Sequence, residues 1–159
     1  PCVPGLYFEK ASVERGPEFG LSQAVIDGHQ ETLEGGAESA LKILRAGGRI
    51  GLGGDYGFAW TPHGTYAREL SFFANDVGFT PMEVITSATK TGAEIMGRGD
   101  ELGTLERGKL ADVLVVDGDV LADISILEER QNLIAILQGG ELKAGQLAPR
   151  HQAQIPDVG

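Results

Sequence analysis

Arg49-Ile50-Gly51-Leu52-Gly53-Gly54-Asp55-Tyr56-Gly57 is a short apolar stretch that runs out into glycines and ends on a carboxylate. Its left flank gives it a structural meaning. From about Glu31 to Ala46, Ala37, Leu41 and Leu44 recur at helical spacing, and Gly47-Gly48 closes the pattern as a glycine C-cap would. Further back, Val3 to Phe8 is a β-like run interrupted by Pro4 and Gly5, which suits a strand end or edge. Strand, helix and strand in that order predict one β-α-β unit with a parallel pair. The intervening Glu9 to Gln30 is polar, with Gly16-Pro17 as a turn signal. It is expected to be an irregular surface excursion that could cap a pocket.

On the right flank, Gly57 to Gly64 is a loop holding Trp60, Pro62 and His63. Thr65 to Val77 is expected to form an amphipathic helix through Leu70, Phe73 and Val77, stopped by Gly78. Thr80-Pro81-Met82-Glu83 is a helix start with a threonine cap, proline at the first helical position and glutamate three residues after the cap. That helix should run to about Met96, with Gly97 as its stop. Composition then shifts. Gly99 to Lys109 is turn-rich, Ala111 to Val116 is an apolar strand, and Leu121 to Leu127 is a loop or short turn. Gln131 to Gln138 and Glu141 to Ala144 read as strands joined by the two-residue turn Gly139-Gly140. Three segments follow: an α/β portion over 1–97, a small β portion over 98–145, and a polar tail over 146–159. No internal repeat or low-complexity segment is apparent.

Composition narrows the function classes. The 159 residues are 42% hydrophobic, enough for a real core. A net charge of -10 argues against nucleic acid and anionic membrane surfaces as partners. No apolar run approaches the about 20 residues that span a bilayer, and no signal peptide is visible. The single cysteine, Cys2, cannot form an internal disulfide, so a reducing cytoplasm is the expectation. Because the sequence starts at Pro1 and not at methionine, it is expected to be a processed chain or one piece of a longer polypeptide.

Asp55 is the candidate for chemistry. A carboxylate at the C-terminal end of a parallel strand lies on the face where barrel enzymes build active sites, and glycines around it allow close approach of a ligand or metal. Such a group can bind a cation or accept a proton from water. It can equally be a turn or capping aspartate, and spacing alone does not separate the two. His63, eight residues later on the same loop, is either a substrate contact or a surface histidine. His29 and His151 read as solvated. Arg68 and Glu69 read as salt-bridged surface residues near the site mouth, beside Tyr66. A metal centre needs three or four convergent ligands, and three scattered histidines without a cysteine pair do not supply one. The glycine run is no phosphate loop, because no Gly-Lys-Ser/Thr follows, and no Gly-x-Ser-x-Gly elbow occurs.

The ordered series Gly53-Gly54-Asp55, His63-Gly64, Glu69-Leu70, Gly78-Phe79-Thr80-Pro81-Met82-Glu83, Ala88-Thr89 and Gly103-Thr104-Leu105-Glu106-Arg107-Gly108-Lys109-Leu110-Ala111-Asp112 resembles the C-terminal part of the amidohydrolase superfamily. The nearest subgroup is the imidazolonepropionase-like and Xaa-Pro dipeptidase-like hydrolases, and the resemblance covers Val3 to Ala144. It implies an α/β chain forming the last two strands and helices of a TIM-like (β/α)8 barrel, plus part of a small β-sandwich. Cys2 to Tyr7 would be barrel strand seven and Arg49 to Gly54 strand eight. It implies one or two divalent metals, commonly zinc, and hydrolysis of a C–N bond in a small-molecule amide, peptide or cyclic amide. Asp55 would be metal ligand and proton shuttle, His63 a substrate contact, and Lys109 and Asp112 structural. The residue before the aspartate is usually threonine or serine in that family; here it is Gly54. The remaining metal ligands would come from an N-terminal barrel portion acting as a companion segment or chain, and assembly into a homo-oligomer is compatible with this. A non-catalytic remnant retained for binding or assembly is the other reading.

Overall fold

A computed structural model describes residues 1–147; His151 and the expected tail from residue 148 onward lie outside the described residues. The chain is α/β, with helices first and a small antiparallel sheet last. The parallel pair expected at its start is present only as a bridge. The Cys2 N–H donates to the Arg49 carbonyl at 2.9 Å and the Gly51 N–H to the Cys2 carbonyl at 2.8 Å, making Cys2 and Ile50 parallel partners. The strand expected over Cys2–Tyr7 stops there for a local reason. Pro4 has no N–H to donate, and Gly5 takes a left-handed φ of 64° that turns the chain directly into helix α1, Leu6–Arg15.

The excursion expected over Glu9–Gln30 is instead mostly helical. After α1, Gly16–Phe19 forms a 3₁₀ turn at the Gly16-Pro17 signal, and α2 then runs from Gln23 to Arg45. Three interior glycines disguise α2 in the sequence, since glycine disfavours helix by about 1 kcal/mol relative to alanine. One of them, Gly36, makes the packing possible: a Cβ there would lie 2.5 Å from Leu6 Cδ2, so α1 can settle onto α2 only where no side chain intervenes.

Helix α3, Ala67–Phe72, continues as a π-helical turn over Phe73–Val77. Helix α4, Pro81–Thr86, starts with the capping box expected at Thr80 and Glu83, continues as a second π turn over Ser87–Thr91 and ends in α5, Gly92–Ile95. Leu6, Ile50, Phe72, Phe73, Val77, Phe79, Val84 and Ile124 form the buried core under these helices. Arg45 near the end of α2 pairs with Glu83 and donates to the Gly78 carbonyl, tying α2 to the start of α4.

Strands β1 (Val113–Val116), β2 (Leu133–Gln138) and β3 (Glu141–Gly145) form the sheet in the order β1-β2-β3. Val113 faces Leu137 across the first ladder, and Ile136 faces Ala144 across the second. Gly139 and Gly140 both have positive φ (59° and 82°), as a type I′ hairpin turn requires. The residues between the two layers are structural. Lys109 Nζ donates to the Gly99 carbonyl at 2.8 Å and to Thr104 Oγ1 at 2.5 Å. Asp112 Oδ1 accepts the Gly139 N–H at 2.7 Å and so latches the hairpin. Leu114 and Ile134, on one face of the sheet, remain 55% and 43% exposed.

Candidate active site

The stretch after Ile50 leaves extended pairing and enters a turn, Gly53 to Gly57, whose side is closed by the loop that follows. The Gly57 N–H donates to the Thr61 carbonyl at 2.9 Å, and the buried Thr61 hydroxyl donates to the Asp55 carbonyl at 3.1 Å. Phe58 and Trp60, on that loop, pack against Phe8 from α1, and Arg15 donates to the Trp60 carbonyl at 3.2 Å.

Asp55 stands at the apex. Its φ of 49° makes it the one non-glycine residue with positive φ among the described residues. Aspartate tolerates this region better than most residues, but an L side chain there is still disfavoured by about 1 kcal/mol. Its carboxylate is exposed and makes no hydrogen bond or ion pair among the described residues. A capping or turn aspartate would hold a nearby N–H; here the side chain is held by nothing and the backbone carbonyl is the anchored part.

The neighbours of Asp55 are held from below by Glu69, which sequence reasoning placed on the surface in a salt bridge. The structure corrects this: Glu69 is 4% exposed and has no cationic partner among the described residues. Its Oε1 accepts the Gly53 N–H at 2.9 Å. Its Oε2 lies 3.4 Å from the Tyr56 hydroxyl, which lies at the same distance from the Tyr66 carbonyl and so shares one proton between two acceptors. Burial pushes the Glu69 carboxyl up to about 7, against the opposing effect of the Gly53 and Tyr56 hydrogen bonds. The Tyr56 phenol is held firmly neutral by burial and by the adjacent Glu69. Its ring stacks on Tyr7 at 6.0 Å and meets Tyr66 edge-on at 4.7 Å. Gly54 lies beneath that ring, and a Cβ there would come within 2.8 Å of it. The helical spacing of Leu70, Phe73 and Val77 held a weak signal for Glu69, since residue 69 falls four positions before Phe73 on the same side of the helix.

His63 is exposed. Its Nδ1 lies 3.1 Å from the Tyr66 hydroxyl, and its Nε2 packs beside Gly57, where a Cβ would be 3.4 Å away. The loop thus brings His63 against the end of the Asp55 turn. His29 is not solvated as expected: its Nδ1 meets Glu9 Oε2 at 2.5 Å between α1 and α2, and its ring packs edge-on to Phe8. Arg68 does carry the expected ion pair, reaching Glu128 at 3.9 Å. A groove of about 420 Å³ between Gly64–Leu70 and Leu127–Arg130 does not include Asp55. Among the described residues no group of three or more His, Cys, Asp or Glu side chains could hold a metal ion. The donor set of the described residues therefore does not fit a metal by itself; Asp55 offers one carboxylate.

Comparison with known proteins identifies the family. The profile of the amidohydrolase family matches residues 9–143. Ochratoxinase of Aspergillus niger is 32% identical over 124 residues, covering 77% of this chain and 24% of that protein. Imidazolonepropionase of Thermoanaerobacter pseudethanolicus is 33% identical over 79 residues, 50% of this chain and 19% of that enzyme. A crystal structure of a Xaa-Pro dipeptidase with methionine bound in its active site superposes with a TM-score of 0.72 at 28% identity, covering 90% of this chain and 34% of that one. The chain spans about a quarter of the length of the ochratoxinase it matches. With its family profile, its relatives and its fold in accord, the chain belongs to the amidohydrolase family.

Proposed function

We propose that this chain is the C-terminal portion of a metal-dependent hydrolase of C–N bonds in small amides, peptides or cyclic amides, and that Asp55 is its proton-transfer group and one metal ligand. The observation that carries the reading is the Asp55 carboxylate itself, exposed and unpaired among the described residues, at the apex of the turn that follows the Cys2–Ile50 bridge and on a backbone held in the left-handed region. A divalent metal such as zinc, when bound, supplies an acidified water as nucleophile. The chain's own part is simple: Asp55 takes the proton of the attacking water and returns it to the leaving nitrogen as the C–N bond breaks. His63, beside the turn, is the substrate-facing group. The other metal donors come from an N-terminal barrel portion, as companion segment or chain. Supporting this are the exposed apolar side chains of Val3, Leu114 and Ile134, and relatives several times longer than the chain. Barrel strands seven and eight would each be completed by that portion.

The second reading is a non-catalytic remnant kept for assembly, the described residues holding no three-ligand cluster of their own. Asp55→Asn separates them. Asparagine keeps the left-handed backbone but neither binds metal as a carboxylate nor takes the proton. In the complete enzyme, with amine release followed over a panel of Xaa-Pro dipeptides and N-acyl amino acids, the variant should lose turnover by about two orders of magnitude or more. Parent and variant giving the same rate, or neither turning over any member of the panel, favours the remnant.

A further inference from the structure

Glu69 is a buried acid, and the proposed proton transfer does not use it. Its helix, α3, is built to deliver it to one place. Phe72 at its end and Phe73 just beyond it are 4% and 0% exposed, so the helix is fixed in the core and Glu69, itself 4% exposed, is held there with it. Its two oxygens end on the two sides of Asp55: one takes the N–H of Gly53, two residues before it, and the other faces the hydroxyl of Tyr56, the residue after it. The Gly53 N–H has no backbone acceptor, so the carboxylate replaces the sheet bond that would otherwise hold this strand end. Tyr56 in turn is clamped between Tyr7 and Tyr66 and covers Gly54. Burying an acid beneath a turn costs stability. The group kept there holds both flanks of the one residue whose backbone is strained.

We propose that Glu69 is the positioning residue of the Asp55 turn: its carboxylate bridges the Gly53 amide and the Tyr56 hydroxyl and thereby fixes the direction in which the Asp55 carboxylate projects. This rests on the reading of Asp55 as the proton-transfer group. Glu69 touches neither substrate nor the reacting atoms and acts through the turn. The bridge needs an acceptor for the Gly53 N–H and a polar group facing the Tyr56 hydroxyl, so a group of similar shape that meets both should serve, and one that meets neither should not.

The test compares Glu69→Gln, Glu69→Met and Asp55→Asn in the complete enzyme by amide hydrogen exchange at Gly53, with the Glu83 amide, held by the Thr80 hydroxyl, as internal control. In the parent the Gly53 amide should exchange about tenfold or more slowly than an open loop, and in Glu69→Gln within about threefold of the parent. Glu69→Met should speed Gly53 exchange by about tenfold while Glu83 is unchanged. On the panel member that the parent hydrolyses, Glu69→Met should lower kcat by about tenfold or more with KM nearly unchanged, because the group is present but misaimed. If Glu69→Met does not fold, Glu69→Asp takes its place, one methylene too short to reach both partners. An unprotected Gly53 amide in the parent overturns the proposal, as does a Met or Asp variant that keeps both Gly53 protection and kcat. Asp55→Asn retaining full activity overturns the functional reading and not the bridge, because Gly53 exchange is measured without turnover.

Discussion

Replacing Glu69 with glutamine should remove a pH dependence from the stability of this fold. The carboxyl sits at 4% exposure, and burial lifts it from its ordinary 4.5 to about 7. Below pH 4.5 it is protonated in both folded and unfolded chains and exacts no penalty. As pH rises past 4.5 the unfolded chain ionises first, so stability falls until the folded carboxyl ionises near pH 7 and then levels off. From 4.5 to about 7, at about 1.36 kcal/mol per pH unit, the loss amounts to about 3 kcal/mol. Glutamine keeps an oxygen for the Gly53 N–H and carries no charge, so its stability should lack this fall. Urea unfolding of parent and Glu69→Gln at a series of pH values between 4 and 9 measures the difference directly. The variant should gain on the parent by about 3 kcal/mol across that range, nearly all of it between pH 4.5 and 7.5. A difference constant to within about 0.5 kcal/mol would refute the account of Glu69 as a desolvated acid.

Other outcomes follow from the packing. Gly35→Ala, where a Cβ meets nothing within 4 Å, should stabilise α2 by about 0.5–1 kcal/mol, whereas Gly36→Ala, one residue on and 2.5 Å from Leu6 Cδ2, should destabilise; opposite shifts in thermal midpoint check this. Gly54→Ser would set a Cβ within 2.8 Å of the Tyr56 ring carbons, so it should loosen the Tyr7–Tyr56 stack and lower the thermal midpoint unless Tyr56→Leu, which removes the ring, accompanies it. Thr80→Ala removes the side-chain cap on the Glu83 N–H and should cost about 1 kcal/mol by urea unfolding. Asp112→Ala leaves the Gly139 N–H without its acceptor, and hydrogen exchange at Gly139 should rise with little change at Glu83.

Much of the later half of the fold could be read from residues because its signals are local. The Thr80-Pro81-Met82-Glu83 start carries its own capping hydrogen bonds, and Gly139-Gly140 carries its own turn geometry. The ordered motif series was enough for the family, and the turn around Lys109 is fixed by contacts within ten residues of it. The first half was less legible. Helix α2 hides behind glycines whose reason, the approach of Leu6 to Gly36, is tertiary. The two expected strands meet among the described residues only at the Cys2–Ile50 bridge, because Pro4 has no N–H and Gly5 turns the chain into α1. Asp55 was visible as a carboxylate at a strand end, but the strain at its backbone was not. Glu69 was misplaced because a glutamate beside an arginine looks like surface, and only the fold shows it turned inward to Gly53.

The two π turns, Phe73–Val77 and Ser87–Thr91, have a consequence for how this chain tolerates insertion and deletion. Each accommodates one residue more than an α-helical turn, and one residue is about 100° of rotation around a helix axis. The extra residue in the first lets the helix bury Phe72, Phe73 and Val77 together and still deliver Phe79 inward; the second does the same between Val84 and Ala93. Trimming either turn to ordinary helix would conserve composition, charge and helical content while rotating everything downstream out of phase with the core. Sequence length, and not only sequence identity, is therefore constrained by packing through this span.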